Sequence, residues 1–344
     1  MPETAVIIVN WNGRHLLSDC LNSLKKQTYR NFTTYVVDNH SSDDSVEFIK
    51  NEFPEARVIQ LKKNFGFARG NNEGIKEAFR KENICFIATL NNDTVVDKNW
   101  LMYLVKEAKK NKEAASFSSK TLCLSKNDTI NSCGMLIYQD GHAKSRGFHE
   151  KLSQYIEKEE IFGPSAVAAL YKKRALKKVG LFDNLFFMYQ EEVDLAWRLR
   201  FAGYKSVYVP KAIVYHRVSF TSKPFSPLKA YYSERNRIWL VFKNFTASMI
   251  FMSIFYTIKR YTCLLTGLKQ KKGPMAEFTQ KGSLISLFFI FIKAWTVGLI
   301  GLPLFINKRI KIQKLRKASG IGQKEINEWF KKFGTKAEGF IIIK

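Results

Sequence analysis

The chain has 344 residues, 46% of them hydrophobic and 25% charged, a balance that supports a sizeable folded core and excludes a disordered or fibrous chain. Its formal net charge of +26 calls for a polyanionic partner, such as an anionic membrane surface, a phosphate-bearing substrate or nucleic acid. Cys20, Cys85, Cys123, Cys133 and Cys263 show no CxxC spacing, which argues against a zinc site or disulfide framework and for reduced core thiols. The segment Met1–Val6 has no basic n-region followed by an apolar stretch, so the protein is expected inside the cell.

The first hundred residues alternate between strand and helix patterns. Ala5–Asn10 is a continuous apolar run, as in a strand covered on both faces. Leu16, Leu17, Cys20, Leu21 and Leu24 follow at helical spacing. Phe32–Asp38 is a second strand, Ser45–Phe53 a helix, Arg57–Leu61 a third strand and 68–81 a helix. Ile84–Leu90 is a fourth strand, with a helix from about Lys98. This order predicts an α/β fold with a mostly parallel sheet flanked by helices.

The stretch from about 114 to 220 is less regular. It has strand-like runs at Met135–Tyr138, Ser165–Leu170 and Ser206–Val209, and a helix over Gln190–Ala202. Beyond 225, an amphipathic Tyr231–Asn244 precedes two apolar runs, Phe245–Ile258 and Leu284–Ile306. Lys/Arg clusters lie between and after them. The second run approaches the ~20 residues that cross a bilayer, but Lys293, Gly298, Gly301 and Pro303 suit an interfacial helix equally well. The expected division is a catalytic domain over 1–225 (donor half 1–112, acceptor half 113–225) and a basic, apolar helical region over 226–344. That region would hold the protein, peripherally or monotopically, on the cytoplasmic side of the cell membrane. Two buried core helices are the alternative.

Each of the four strands ends in side chains that do not suit a core. They are Asn10-Trp11-Asn12-Gly13, Asp38-Asn39-His40-Ser41-Ser42-Asp43, Asn64-Phe65-Gly66 through Asn72, and Asn91-Asn92-Asp93. Singly, such residues make turns and helix caps. Together, beyond the carboxyl ends of parallel strands, they make one ligand site. Asp38 could accept the imide N–H of uracil or thymine, and Asp93 could hold a divalent metal bridging to phosphates. No GxxxxGK[ST] loop or dinucleotide fingerprint is present, and no recognised nucleic-acid motif accompanies the charge, so no nucleic-acid partner is expected. The acidic group Glu191, Glu192 and Asp194 opens a helix, where it suits the macrodipole. Asp194 and Arg198 are spaced for a surface ion pair, and Arg198 and Arg200 suit a solvated face, with contact to diphosphate or acceptor groups as the alternative.

These motifs resemble the family 2 glycosyltransferases of GT-A fold. The opening Val6–Asn12, Ser23–Tyr29 and Val36–Asp43 carries the likeness, and Asn64–Gly74 is similar to rhamnosyltransferase-like members. The likeness resumes at Gly180–Asp183 and runs through Phe187–Arg200 to about residue 220. It implies an inverting transfer from a UDP- or dTDP-sugar to a glycan or lipid-linked saccharide in cell-surface polysaccharide synthesis. Asp38 would read the base, with Asn10, Asn12, Asn39, Asn64, Gly66, Asn72, Asn91, Asn92 and Asp93 around the donor. Asp93 matches the last acid of the family's DxD, where Asn91 replaces the first, and with His216 would hold Mg2+ or Mn2+. Glu192 falls at the catalytic base, flanked by Glu191 and Asp194. The rivals are a catalytically silent polyanion- or membrane-binding α/β module and a nucleotidyltransferase, which would need a Gly-rich basic loop after the first strand.

Overall fold

The computed structural model describes residues 3–217, 226–280 and 282–341, without the side chains of 126–128. The end of the family likeness near 220 and the expected boundary at 225 lie outside them. The chain divides into two compact units: Met1–Met135 with Ser145–Leu199 and Tyr204–Val218, and Leu136–Lys144 with Arg200–Gly203 and Ser219–Lys344.

In the first unit the elements run β1 (Thr4–Asn10), α1 (Arg14–Lys25), β2 (Phe32–Asp38), α2 (Ser45–Glu52), β3 (Arg57–Gln60), α3 (Gly66–Phe79), β4 (Phe86–Asn91), β5 (Thr94–Val96), α4 (Trp100–Lys110), β6 (Ala114–Cys123) and β7 (Lys126–Ser132). A short ribbon, β8 (Met135–Ile137) and β9 (Ala143–Ser145), lies mostly in the second unit, and the first unit resumes with β10 (Glu159–Ile161), β11 (Ala168–Lys172), α5 (Lys173–Val179), α6 (Glu191–Phe201, all but its last two residues) and β12 (Lys205–His216). One sheet takes the order β10-β12-β6-β11-β4-β1-β2-β3, with β5 on β12 and β7 on β6. β1 pairs in parallel with β2 and β4, and β2 with β3. β11 runs antiparallel to both β4 and β6, so the sheet is mixed, not mostly parallel.

Alternate residues of β1 serve two cores, which is why its sequence is apolar throughout. Val6 and Ile8 pack with Leu17, Leu21, Trp100 and Leu104, while Ala5 and Ile7 pack with Ile75, Leu195 and Leu199. β6, AASFSSKTLC, is buried along its whole length yet half polar, so its apolar pattern does not announce a strand. Its hydroxyls are satisfied internally, with Ser116 Oγ 2.7 Å from Ser206 Oγ and Trp100 Nε1 donating to Ser119 Oγ at 2.8 Å. The cysteines are free, and Cys85 is exposed, contrary to the expectation that all five lie in the core.

The second unit holds α7 (Pro227–Asn244), α8 (Ala247–Lys269), α9 (Gly273–Thr279), α10 (Leu284–Ile300), α11 (Ile306–Ala318) and α12 (Gln323–Phe333). The charges of α7 are not a solvated stripe. Glu234 and Arg237 are buried, in a network where Arg260 bonds Asp140 and also donates to Glu234 at 3.0 Å. Arg237 reaches Glu234 at 2.9 Å and Tyr261 reaches it at 2.8 Å. Although burial opposes it, these cations hold the Glu234 carboxyl down at about 2. The long apolar run breaks after Ile300, where Gly301 and Pro303 open a 3-10 turn. Among the described residues no single helix is long and apolar enough to cross a membrane; α9 and α10 pass that test only as a pair bent by 120°. The apolar faces of α8 and α10 are not core: Phe251, Phe255 and Ile258 are exposed, as are Ile285, Phe288 and Phe289.

Candidate functional site

The carboxyl ends of β1, β2 and β4 are joined by side chains. Asn92 Nδ2 donates to Asn10 Oδ1 at 2.8 Å, and Asn10 Nδ2 donates to Ser41 Oγ at 3.3 Å and Asp38 Oδ1 at 3.4 Å. Asp38 is buried and accepts from its own loop, from Ser41 N at 3.0 Å and Ser41 Oγ at 2.5 Å. Asn12 takes a left-handed backbone (φ 49), and its Oδ1 accepts from Ser42 N at 2.7 Å. Gly13 is obligatory beside them, because a Cβ there would overlap the Asn10–Asn92 pair. Trp11 stands at the tip of β1 with 46% of its surface exposed, an aromatic face open to a planar ligand. A cavity of ≈ 430 Å³ lies between β2, α2 and β3, with Asp38 and Ser41 on its wall.

The chain of contacts continues toward the acids. Asn39 Nδ2 donates to Asn64 Oδ1 at 2.9 Å and Gly66 O at 3.1 Å, and its Oδ1 accepts from Phe65 N at 2.9 Å. Gly66 (φ 79) lets Phe187 close over it, since a Cβ would overlap the Phe187 carbonyl and ring, and Ala68 N donates to Phe187 O at 3.1 Å. Phe187, Tyr189 and Gln190 all have positive φ (63, 67 and 71), which costs of order 1–3 kcal/mol each. This strained run ends where α6 begins, at Glu191 and Glu192.

Glu191 is buried and Glu192 partly exposed, and each keeps one carboxylate oxygen without a hydrogen-bond partner. Burial, and then the adjacent Glu192 charge, lift Glu191 well above the ordinary carboxylate range. Burial raises Glu192 as well, but the hydrogen bond between them raises Glu191 and lowers Glu192. Two acids this close and this buried resist ionising together. Asp194 is different in kind. It is fully buried and accepts from Arg198 Nε at 2.9 Å, while Arg198 donates to the carbonyls of Val179, Gly180 and Leu181 at 2.7–2.9 Å. The Asp194–Arg198 pair is therefore interior and not on the surface, and Arg198 and Arg200 are both buried where a solvated face was expected. Asn72 likewise faces inward, donating to Phe182 O at 2.7 Å and Asn184 Oδ1 at 2.6 Å. Trp197 packs edge-on against Phe162 with centroids 4.9 Å apart.

At the other edge, Asp93 is buried and its Oδ1 lies 3.2 Å from His216 Nε2 with no hydrogen-bond donor. His216 Nδ1 is 3.0 Å from Asn131 Oδ1. Asn91 also has a buried Oδ1 without a partner. Among the described residues no group of three or more His, Cys, Asp and Glu side chains assembles a metal cage. One carboxylate and one imidazole still fit a hard cation that takes its other ligands from substrate phosphates and water. A separation of 3.2 Å also matches neighbouring ligands of an octahedral ion, about 3 Å for bonds of ~2.1 Å.

Asp38, Asp93 and the Glu191–Glu192 pair stand around the carboxyl ends of strands in an α/β fold of GT-A type. Residues 5–180, just over half the chain, match the model of glycosyl transferase family 2, and the chain belongs to that family. It is 27% identical over 219 residues to the poly-beta-1,6-N-acetyl-D-glucosamine synthase of Staphylococcus epidermidis, covering 62% of this chain and 50% of the relative. It is 22% identical over 221 residues to the enzyme of the same name from Staphylococcus aureus strain COL, with the same coverage. The chain thus spans about half the length of these relatives. Its fold is like that of S. aureus TarS 1-349 in complex with UDP (TM-score 0.52, 16% identity, 93% of this chain and 90% of that one). It is also like GalNAc-T7 with UDP, GalNAc and Mn2+ (TM-score 0.57, 16% identity, 70% and 48%).

Ser41, Trp11, Gly13 and Asn131 stand in the site without having been singled out from the sequence. Ser41, Trp11 and Gly13 lie inside the motifs quoted above and were legible there. Asn131 carried no signal, because its strand is irregular.

Proposed function

We propose that this protein is an inverting glycosyltransferase moving a sugar from a UDP- or dTDP-sugar to a hydroxyl of a lipid-linked saccharide, in the synthesis of a cell-surface polysaccharide. The observation that carries the reading is the Glu191–Glu192 pair at the start of α6, with one oxygen of each carboxylate unpartnered and both acids raised by burial. An ionised Glu192 takes the acceptor proton as the hydroxyl attacks the anomeric carbon from the face opposite the leaving group, which inverts that centre in one displacement. Asp38 accepts the imide N–H of the base, and Trp11 offers it a stacking face. Asn10, Asn12, Asn39 and Asn92 fix the loops around it. Asp93 and His216 would hold Mg2+ or Mn2+, which would neutralise charge on the diphosphate. The UDP in both structures of like fold favours UDP over dTDP, while the Asn64–Gly74 segment keeps the likeness to rhamnosyltransferase-like members.

The outward apolar faces of α8 and α10, with Lys311 and Lys317 on α11, support a peripheral or monotopic seat on the anionic cytoplasmic leaflet. A lipid-linked acceptor would share that surface.

The test is turnover of a panel of UDP- and dTDP-sugars by wild type and Glu192→Gln, with UDP binding measured in parallel. Turnover should fall by about 10²-fold or more with binding retained. Full activity in Glu192→Gln removes the base, and no turnover of any sugar nucleotide by wild type leaves the silent polyanion- or membrane-binding module.

A further inference from the structure

Asn131 sits where the pairing of β7 with β6 slips. Thr121 faces Ser132 and Leu122 faces Ile130, so Asn131 is the extra residue of a β-bulge. Such a bulge takes a side chain out of its strand's alternation and re-aims it. Here the side chain reaches across β6 to β12, whose His216 lies beside Cys123 in the parallel ladder. Asn131 is buried, with a relative exposure of 7%, and its Oδ1 is 3.0 Å from His216 Nδ1. An amide oxygen only accepts, so Nδ1 carries a ring proton, and in the neutral imidazole Nε2 keeps its lone pair. That lone pair faces Asp93 Oδ1 at 3.2 Å, an oxygen with no donor of its own. Two acceptors turned toward one point repel unless a cation lies beside both.

We propose that Asn131 is a positioning residue that locks His216 as the Nδ1–H tautomer and thereby presents Nε2, together with Asp93, to a divalent cation. The inference rests on the metal reading of Asp93 and His216 above and adds the residue that orients the imidazole. Partners of this kind, accepting from the second ring nitrogen, typically govern metal affinity by about 10–100-fold.

The experiment titrates the full chain with Mn2+ in the presence of UDP, counting free Mn2+ by electron paramagnetic resonance at about pH 8, where histidine is ordinarily neutral. Asn131→Leu should weaken Mn2+ binding about 10-fold or more, and Asn131→Asp, which keeps an accepting oxygen, should hold it within about 3-fold of wild type. Nitrogen-15 spectra of the metal-free wild type should show His216 protonated at Nδ1, a readout that survives even if Asn131→Leu folds poorly. The Nε2–H tautomer in wild type, or wild-type Mn2+ affinity in Asn131→Leu alongside a loss in His216→Ala, would overturn the role of Asn131 and leave the metal reading standing. Unchanged Mn2+ affinity in both His216→Ala and Asp93→Asn would remove the metal reading itself.

Discussion

Asp194→Asn separates two roles that the sequence merges, since Glu191, Glu192 and Asp194 share one helical turn. Asp194 is fully buried, and its carboxylate meets Arg198, itself 4% exposed, at 2.9 Å to Nε. The other guanidinium N–H groups of Arg198 are committed to the carbonyls of Val179, Gly180 and Leu181, so the cation has no route to water. Removing one partner of a buried pair strands the other charge and costs about 3–5 kcal/mol. A neutral amide still accepts one bond, so Asp194→Asn should fall near the lower end and Asp194→Leu near the upper. At about 2–4 °C per kcal/mol for a domain of some 200 residues, the melting temperature should drop by ~6–20 °C. Glu192→Gln removes a carboxylate with an unpartnered oxygen from a site where burial disfavours charge, and should melt at or above wild type while losing turnover. The assay is thermal denaturation followed by circular dichroism, with sugar-nucleotide turnover measured at a temperature where every variant is folded. If Asp194→Asn melts within about 2 °C of wild type yet is inactive, Asp194 belongs to the catalytic group and the structural assignment is wrong.

The raised Glu191 makes stability depend on pH. The unfolded chain releases this proton near the ordinary value of 4.5 and the folded chain later, so the group's contribution is lost as pH rises from there through its folded value. Glu191→Gln should therefore gain on wild type between about pH 5 and pH 8, by ~1.4 kcal/mol for every pH step over which the folded acid keeps a proton that the unfolded chain has lost. Melting temperatures across that range check this, and an equal offset at both ends refutes it. Gly66→Ala should destabilise by at least about 1–2 kcal/mol from its φ alone, and lower turnover by shifting Phe187 and the start of α6; unchanged turnover would show that the strained run does not place the acids. Full-length protein should pellet with anionic vesicles and be weakened but not released by high salt, because screening acts on the lysines and not on the apolar faces of α8 and α10. Release by salt alone would reduce that surface to a basic patch.

Local pattern was enough for the donor half. β1 is apolar along its length because both its faces are buried, β2 and β4 are largely so, and side chains that no core accepts mark the strand ends, so β1 to β4 and the cluster around Asn10, Asp38, Asn64 and Asp93 could be read from residue order. The acids in the first turn of α6 could be read too, but not their division of labour. Glu191, Glu192 and Asp194 look alike in sequence, and only packing against Arg198 turned one into a buried ion-pair partner while leaving the other two without a cation and raised by burial. β6 escaped because its serines are satisfied by partners far along the chain, such as Ser206. Gly66 read as a residue beside the donor, whereas its missing Cβ makes room for Phe187. Asn131 meets His216, and His216 meets Asp93, only because a bulged strand and a parallel strand flank β6. Spacing along a chain reports contacts within a few residues. A pair separated by 85 positions, as Asn131 and His216 are, is decided by the sheet.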